Sequence, residues 1–494
     1  MELDLLSFPV FSTFVVSVLF ILTLWKISKC SSPNLPPQPW KLPFIGNLHQ
    51  LASSPPHIAL RDLAVKYGPL MHLQLGEVPT VVVSSPDMAK EVMKIHDLIF
   101  ASRPPIIGTR IISYDSKNMS FAPYGDYWRQ LRKIFTLELL SAKRVASFNP
   151  IREEEMGNLI KFISSRAGKS INLSLKTSLM MHDIITRATF GKTMKDAQLF
   201  LSIVSKVVKL AAGFSVGDIF PSLPFLHVIS GVKPELEAYH KDIDKILESV
   251  ICEHGMTHDL LHALKTFQQD PEYHLTSDHV KAVLLDILIA GSETAGTIIH
   301  WAMAELMKNP TILEKVQSEV RQMFNQQGVV DESQLHRLKY LNLVIKEVLR
   351  LHPPAPLLLP RLNSETCVIN GYEIPAKTKL IVNAWAIGRD PNSWVDPDEF
   401  QPERFDGSSV QFLGNDFEYI PFGAGRRMCP GITFGMANVE SFLANILFHF
   451  DWKLPNGMQA NELDMTKSFG AALTRKEELH VVPLVYERSS LANN

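Results

Sequence analysis

The sequence predicts a mainly α-helical protein with a small β lobe, formed by a single large domain that follows an N-terminal transmembrane segment. Three observations support this fold class. Most of the chain between Trp128 and Arg350 has the apolar spacing of helices broken by prolines, two hairpin patterns lie outside that region, and residues 1–30 contain a long apolar run. The length of 494 residues is compatible with several domains, but the motifs described below are spread along the chain, which favours one.

The first element is predicted to be a retained membrane anchor, residues 1–30. Residues 5–25 contain no charged side chain and are long enough to cross a hydrocarbon core of roughly 30 Å as a helix. A cleavable signal peptide, the alternative, has a shorter apolar stretch of about 7–15 residues and a basic start. Here Lys26 and Lys29 follow the stretch, so we expect the rest of the chain to face the cytosol.

Residues 31–46 are predicted to form a semi-rigid spacer, and residues 47–494 the catalytic domain. Five prolines lie between positions 33 and 43. Prolines at this density favour extended polyproline II backbone. The spacer would therefore connect the membrane to the domain with little flexibility.

The small β lobe is predicted from two hairpins. Residues 71–85 read as two short strands about a turn, and Ser85 and Pro86 have the residue types of an N-cap and first helical position. The dipeptide Asn370-Gly371 separates two further short runs and is typical of a two-residue hairpin turn. Both signals are local, so both hairpins are expected whatever the rest of the fold.

Charge and cysteine content exclude several function classes. Lys+Arg (49) and Asp+Glu (51) nearly cancel, which gives a net charge of -2 and no field to attract nucleic acid. The four cysteines are Cys30, Cys252, Cys367 and Cys429, and no pair has C-x-x-C spacing. This argues against a structural zinc site, an iron–sulfur cluster and a disulfide framework.

Cys429 lies in the glycine-rich stretch PFGAGRRMCPG, residues 421–431, which predicts a tight loop. The apolar residues 432–450 predict a buried helix, whose positive dipole end favours a thiolate over a thiol. A buried structural cysteine is the alternative. A thiolate in such a loop needs a compensating cation, from a nucleophile's partner, zinc or haem iron. Because the cysteine spacing disfavours zinc, haem with a single axial thiolate remains.

The loop resembles the signature F-x-x-G-x-R-x-C-x-G of the cytochrome P-450 haem-thiolate monooxygenases. The matching residues are Phe422, Gly425, Arg427, Cys429 and Gly431. Four upstream motifs of that family occur in the expected order, WRQLR with Trp128 and Arg132, AGSET at 290–294, KEVLR with Glu347 and Arg350, and PERF at 402–405. The chain is similar to this family over essentially its whole length, which implies the cytochrome P-450 fold.

The resemblance implies haem b as the cofactor and Cys429 as the ligand of its iron. The other residues that it assigns to the cofactor are Trp128, Arg132, Arg361, Phe422 and Arg427. It also implies a charged triad of Glu347, Arg350 and Arg404. Because buried charges must be paired, the role of this triad is expected to be structural.

One long helix is predicted between Thr276 or Ser277, which can cap its start, and Pro310, which ends it. Its centre, residues 291–296, is small and polar within an otherwise apolar helix. Such a pattern is typical of a close crossing of two helices. The helix is therefore expected to lie in the interior of the domain.

The resemblance to the monooxygenases implies a different role for this centre, a pocket for dioxygen. Gly291 would let haem and dioxygen come close, Thr294 would orient a water through its hydroxyl, and Glu293 would help to relay protons. Two protons are needed before the O–O bond can break. Thr294 and Glu293 are therefore the predicted catalytic side chains.

Electrons are expected to come from a partner protein. The stretch GAGRRM lacks the last glycine of G-x-G-x-x-G and opens no βαβ pattern, so it is not a fingerprint for NADPH. The resemblance implies an NADPH-cytochrome reductase, with cytochrome b5 as a second candidate, docked around Cys429 and Arg426. It also implies a location in the endoplasmic reticulum membrane, with one span and a cytosolic catalytic domain.

The substrate is predicted to be a small apolar molecule held by shape. The family's substrate-contact segments place these side chains in the pocket: Ile107, Ile111, Ile112, Phe121, Ala290, Ala355, Leu357, Ala471 and Leu473. The chain looks most like plant A-type members close to the terpene oxidases, which implies a sesquiterpene or diterpene. The alternatives are a monoterpene, an alkaloid or a phenolic as substrate, a haem-thiolate isomerase or dehydratase, and a non-catalytic haem sensor.

Overall fold

The computed structural model describes residues 34–210, 213–253, 259–271, 273–468 and 472–487, together with Ser17. Apart from Ser17, the predicted anchor lies outside the described residues, as does the predicted pocket residue Ala471. Within the described ranges the chain is mainly helical with three small sheets. The predicted fold class is confirmed.

The α-helices make up nearly half of the described chain and are numbered in chain order. They are α1 (Pro56–Tyr67), α2 (Pro86–Lys90), α3 (Ile107–Ile112), α4 (Asp126–Lys133), α5 (Ala142–Ser147), α6 (Asn149–Ser164), α7 (Leu173–Phe190), α8 (Ala197–Leu210), α9 (Val216–Ile219), α10 (Leu226–Ile229), α11 (Val232–Cys252), α12 (Leu260–Gln269), α13 (Ser277–Lys308), α14 (Pro310–Phe324), α15 (Lys339–Leu351), α16 (Ala384–Ile387) and α17 (Ile432–His449). Prolines occupy the first position of α1, α2 and α14, where their missing N–H breaks no helical hydrogen bond.

The β lobe contains both predicted hairpins. The strands are β1 (Leu70–Leu75), β2 (Val78–Val83), β3 (Ile171–Asn172), β4 (Arg361–Leu362), β5 (Cys367–Ile369), β6 (Tyr372–Ile374), β7 (Lys379–Val382), β8 (Phe450–Lys453) and β9 (His480–Val485). Their order in the three sheets is β1-β2-β7-β4, β3-β9-β8 and β5-β6. The pairs β1–β2 and β5–β6 are antiparallel, and Asn370 and Gly371 have the positive φ angles, 49° and 79°, of a two-residue turn.

The long helix α13 forms the centre of the helical body. Thr276 is its N-cap residue and it ends at Lys308, before Pro310, as predicted. Its side chains are buried on nearly every side because α13 packs against α7, α15 and α17. Among the described residues it is the one helix that is long and apolar enough to span a membrane, but most of it is buried inside the protein.

A second apolar cluster joins the strand lobe to the loop that carries Cys429. It includes Val81 and Val83 of β2, Leu380 of β7 and Ala424 of the loop. Alternate residues of a strand point to the same face, so one face of this sheet packs against the loop. The sheet thus packs against the loop, and α17 begins directly after the loop at Ile432.

The described part of the predicted spacer, residues 34–46, lies against the strand lobe. The N–H of His72 in β1 donates to the carbonyl of Pro37 at 2.9 Å. Asn34 Nδ2 donates to the carbonyl of Gly371 at 2.8 Å. These bonds tie the segment to the domain, and its role as a spacer stays a prediction.

Glu347, Arg350 and Arg404 meet in a buried network between α15 and the segment that leads to the Cys429 loop. Arg350 donates to both carboxylate oxygens of Glu347 at 2.7 Å, and Arg404 Nε donates to Oε1 at 2.9 Å. The remaining guanidinium N–H groups bond to backbone carbonyls between residues 388 and 399. Because every charge is paired, the network fixes the path of that segment relative to α15.

Replacing Arg404 by methionine should destabilise the protein, because Glu347 then loses one of its two guanidinium partners inside the core. We expect the free energy of unfolding to fall by about 3–5 kcal/mol, the usual range when a buried pair is broken. Urea unfolding followed by circular dichroism measures it. Glu403→Gln is the control, since Glu403 pairs with Lys315 at the surface and should contribute about 1 kcal/mol or less. Equal losses for both variants would contradict this account of the network.

Candidate active site

Cys429 ends a loop that holds its sulfur beside a backbone N–H group. Its own N–H donates to the carbonyl of Phe422 at 3.0 Å, and the N–H of Gly431 donates to Sγ at 3.4 Å. The predicted helix begins at Ile432. Burial raises the pKa of Cys429, whereas the Gly431 N–H and the charge of Arg132 oppose that shift. The helix dipole alone therefore does not secure a thiolate, and the sulfur needs a positive partner.

The loop is fixed by Asp97, which the sequence analysis did not identify. Asp97 Oδ1 accepts from Arg361 at 2.9 Å, and Oδ2 accepts from the N–H of Arg426 at 2.9 Å. Gly425 packs against it with φ of +67°, and a Cβ there would lie 2.2 Å from the carbonyl oxygen of Met93. Only glycine fits this position. Asp97 had no local signal, because it lies hundreds of residues before the loop that it holds.

The side chains predicted to hold the cofactor surround one cavity. Trp128, Arg132, Arg361, Phe422, Arg427 and Cys429 all line it. The indole N–H of Trp128 donates to the carbonyl of Met119 at 3.0 Å, and the Arg427 guanidinium lies 4.4 Å from the centre of the Trp128 ring. Burial and the neighbouring arginines lower the pKa of Arg427 to about 9. Buried cations that repel one another indicate a site for an anion.

Arg103 is a further cation of this cavity, and the sequence analysis missed it. Its guanidinium donates to the carbonyl of Ser120 at 2.9 Å and to that of Leu359 at 2.7 Å. It lines the cavity, and burial together with the charges of Arg427 and Arg361 lowers its pKa. A single arginine in the sequence RPP carries no pattern that distinguishes it from a surface arginine.

Thr294 and Glu293, the predicted catalytic residues, both line the cavity from α13. Thr294 Oγ1 donates to the carbonyl of Ala290 at 2.7 Å, a bond within the helix that fixes its rotamer. Burial raises the pKa of Glu293 to about 7. A carboxyl group with such a pKa can hold and release a proton near neutral pH, as a proton relay requires.

Gly291 serves the packing of two helices. A Cβ on Gly291 would lie 2.7 Å from Cδ1 of Ile185 in α7, so the missing side chain lets α13 and α7 approach. This is the helix crossing that the small centre of α13 indicated. Gly291 also borders the cavity, and its predicted role beside dioxygen stays a prediction.

The cavity has a volume of about 460 Å³ and runs from Cys429 past α13 to the strand lobe. The described residues that line it include five of the predicted substrate residues, Ile112, Phe121, Ala290, Ala355 and Leu357. Most of the other lining side chains are also apolar. Because the predicted cofactor residues line the same cavity, this volume is shared between the cofactor and a small apolar molecule.

Three predicted pocket residues do not line the cavity. Ile107 and Ile111 pack with the main apolar core, and Leu473 is buried in a cluster with Trp385. In their place the wall contains Ile106, Gly108, Thr109 and Ala472. The assignment of Ile107, Ile111 and Leu473 to the substrate pocket stays a prediction. Residues close to them in sequence line the cavity instead, because neighbouring side chains point about 100° apart on a helix and to opposite sides of an extended segment.

Two charged residues, Asp286 and Lys379, also line the cavity. The sequence analysis predicted only uncharged side chains for the substrate pocket. Asp286 of α13 accepts from Asn118 Nδ2 at 2.7 Å and from the N–H of Ser120 at 3.0 Å, and burial raises its pKa to about 6. Lys379 of β7 lines the cavity from the strand lobe. Asp286 had a signal, since it is a lone acidic residue within the apolar run AVLLDILIA.

The helical fold and a cavity that combines one thiol with several buried guanidinium groups define a haem-thiolate oxygenase. The family model described as Cytochrome P450 matches residues 36–482. The chain therefore belongs to the cytochrome P450 family.

Relatives are similar along nearly the whole chain. Premnaspirodiene oxygenase of Hyoscyamus muticus is 49% identical over 96% of this chain and 97% of its own. Desmethyl-deoxy-podophyllotoxin synthase of Sinopodophyllum hexandrum is 51% identical over 98% of both chains, and salviol synthase of Salvia pomifera 52% identical over 91% and 92%. A structure of a zebra fish cytochrome P450 with progesterone has a TM-score of 0.76 and 26% identity, covering 87% of this chain and 100% of that chain.

The residues of the cavity fit haem, the cofactor of this family. Burial disfavours ionisation of Cys429 unless a cation is close, and iron would be that cation. The buried guanidinium groups of Arg132, Arg361 and Arg427 repel one another unless an anion lies between them, and two propionates would supply that charge.

Glu293→Gln should remove one component of the pH dependence of stability. Because burial raises the pKa of Glu293 from 4.5 to about 7, the folded protein keeps a proton that the unfolded chain has already released between these values. The free energy of unfolding of the wild type should therefore fall by up to about 3 kcal/mol as the pH rises through this range. Urea unfolding at several pH values compares the two proteins. Parallel profiles would contradict the raised pKa.

Proposed function

We propose that this cytochrome P450 inserts one oxygen atom from dioxygen into a sesquiterpene or diterpene skeleton. The observation that carries the proposal is the largely apolar wall of the cavity where it extends from Cys429 along α13 to the strand lobe. Similarity to premnaspirodiene oxygenase over almost the whole chain supports this class of substrate. Similarity to desmethyl-deoxy-podophyllotoxin synthase supports a precursor of desmethyl-deoxy-podophyllotoxin as the second candidate substrate.

Haem, when bound, supplies the chemistry that activates dioxygen for insertion into a C–H bond. Cys429 would hold the iron through its sulfur, on which the N–H of Gly431 would stabilise negative charge. Arg132, Arg361 and Arg427 would hold the propionates. The apolar wall holds the substrate by shape and excludes water from the reacting carbon.

Protons reach the dioxygen site from α13. The hydroxyl of Thr294, held by the carbonyl of Ala290, orients a water in the cavity. Glu293 resupplies the proton, because its pKa of about 7 leaves it protonated part of the time at neutral pH. Ser292 points elsewhere, since it is buried and its Oγ donates to the carbonyl of Leu288 at 2.6 Å.

An NADPH-cytochrome reductase would supply the electrons, with cytochrome b5 as a second donor. The surface beside the Cys429 loop carries the half-exposed guanidinium of Arg426, whose Nε lies 3.6 Å from Asp97. A cationic surface favours the approach of an acidic partner. The same Asp97 also holds the loop, so this surface is rigidly connected to Cys429.

The protein spans the endoplasmic reticulum membrane once through residues 1–30, faces the cytosol, and rests on the membrane with an apolar surface. Large apolar side chains are exposed at Trp40, Phe44, Phe225 and Ile229. The turn between β1 and β2 bonds to both of the segments that carry these side chains. The N–H of Gly76 donates to the carbonyl of Ile45 at 3.3 Å, and the N–H of Glu77 donates to the carbonyl of Ile219 at 2.9 Å. Apolar side chains grouped in this way suit contact with lipid.

Co-expression with an NADPH-cytochrome reductase and a panel of terpene skeletons tests the proposed function. We expect an oxygenated sesquiterpene or diterpene that requires NADPH and carries label from isotopic dioxygen, identified by mass spectrometry. Cys429→His should abolish the reaction. Cys367→Ser, which alters a buried thiol of β5, is the matched control. Turnover of precursors of desmethyl-deoxy-podophyllotoxin alone would favour the second candidate, and products formed without dioxygen would favour an isomerase or dehydratase.

Thr294→Ala should uncouple NADPH consumption from product formation. Without the hydroxyl the water loses its orientation, so we expect near-normal NADPH consumption, more hydrogen peroxide, and several-fold less product per NADPH; a positioned proton donor contributes roughly 100-fold or more when no water replaces it. Ser292→Ala is the matched control, because Ser292 makes the same kind of bond away from the cavity. The three quantities are measured in one reaction. Coupling equal to the wild type would assign proton delivery to Glu293 or a bound water instead.

Deleting residues 1–30 should release much of the protein from membranes without loss of haem, because the anchor lies outside the domain that forms the cavity. Adding Trp40→Ser and Phe44→Ser to the truncated protein should increase the soluble fraction further, as both side chains are more than half exposed. Val395→Ser changes an exposed apolar residue elsewhere and serves as the control. Sedimentation and haem absorbance give the two readouts. Full retention of the truncated double variant in the membrane pellet would refute this mode of attachment.

A further inference from the structure

Lys379 is a buried lysine in an apolar part of the cavity wall. It is the first residue of β7 and is only 7% exposed. Lys379 and Ile381 line the cavity, and as alternate residues of one strand they share a face. On that face Ile381 belongs to the same apolar cluster as Phe214 and Leu357, and Lys379 Nζ lies 5.0 Å from the centre of the Phe214 ring.

Arg361, one of the arginines assigned to the cofactor site, lies on the other face of this sheet. Arg361 of β4 is paired directly with Leu380, and directly paired residues share a face. Leu380 packs in the cluster that contains Ala424 of the Cys429 loop. Lys379, the neighbour of Leu380, therefore points away from that loop and lies on the opposite face of the sheet from Arg361.

The ammonium group of Lys379 has little compensation within the protein. Its one hydrogen bond to the described residues goes to the carbonyl of Gly213 at 3.3 Å. The carboxylate of Asp218 attracts the ammonium group electrostatically but does not hydrogen-bond to it. Its two oxygens instead accept from the N–H of Ile107 at 2.8 Å and from Ser215 Oγ at 2.6 Å. Burial lowers the pKa of Lys379 to about 8, so the group is still charged at neutral pH.

An ammonium group carries three donors, and that of Lys379 uses one of them weakly. A buried charge normally has a full set of partners, because leaving it without them is costly. The unused donors face a cavity that admits small lipophiles. A polar group of the ligand is the partner that completes this site.

We propose that Lys379 determines specificity by binding an oxygen atom of the substrate. The inference rests on the proposed function and narrows it, because the preferred terpenoid already carries a hydroxyl or carboxylate at the end that faces Lys379. A carboxylate is bound most tightly, since it adds charge attraction to the hydrogen bond in a site with little water. An earlier oxidation of the skeleton must then supply this substrate.

Three ligands with one skeleton, abietadiene, abietadienol and abietic acid, test the inference. Dissociation constants for the haem-loaded protein come from the change in haem absorbance and from isothermal titration calorimetry. The wild type should bind the acid about 10-fold or more tightly than the hydrocarbon, the usual gain from a hydrogen bond to a charged group. Lys379→Met should remove most of this ratio and Lys379→Arg should keep part of it. Lys377→Met, an exposed lysine two residues earlier, is the matched control.

The outcomes separate this inference from the proposed function. A ratio of acid to hydrocarbon affinity that is equal in the wild type and Lys379→Met would overturn the inference, while oxidation of the hydrocarbon would leave the proposed function intact. A wild type without preference for the acid would overturn it even if Lys379→Met failed to fold. Failure to bind or oxidise any terpene skeleton would overturn both. Loss of preference in Lys379→Met, with the preference kept in Lys377→Met, would support the role of Lys379.

Discussion

A carboxylate without access to solvent, Glu347, determines how the second half of the domain is arranged. Such a charge is tolerated only when it is fully paired. Here Arg350, three residues further along the same helix, and Arg404, 57 residues further along the chain, both pair with it. Few other arrangements of the segment 388–405 could satisfy all these groups. The path of this segment is thereby fixed, and with it the position of the Cys429 loop that follows it at the cavity.

The cavity itself is organised by an excess of positive charge. Arg103, Arg361 and Arg427 are close enough to affect one another's pKa values, and Asp97 neutralises only part of their charge. The protein can accept this arrangement because backbone carbonyls bind the guanidinium groups before an anion arrives. Lys379 differs from these arginines, because it lies on the face of the sheet opposite Arg361, where its charge faces the apolar part of the cavity.

Helix α13 both packs closely against a neighbouring helix and contributes residues to the cavity. Its small centre allows a close approach to α7 at Gly291, and its cavity side carries Thr294 and Glu293. The sequence offered a helix crossing and an oxygen pocket as separate interpretations. In the structure the crossing at Gly291 and the cavity-lining residues Glu293 and Thr294 occupy neighbouring positions of the same helix, because successive residues point in directions about 100° apart. The role of this region as an oxygen pocket stays a prediction. The packing that buries α13 is also what raises the pKa of Glu293.

The sequence by itself determined the elements whose signals are local. Glycines and prolines defined the Cys429 loop and the hairpin at Asn370-Gly371, and capping and apolar spacing defined both ends of α13. Only the tertiary structure decided which side chains line the cavity. Asp97, Arg103 and Lys379 gain their roles from segments far away in the chain, and a lysine at the start of a strand is ordinarily exposed. Its burial depends on the neighbouring strands and on the segment of Gly213, which no local pattern could reveal.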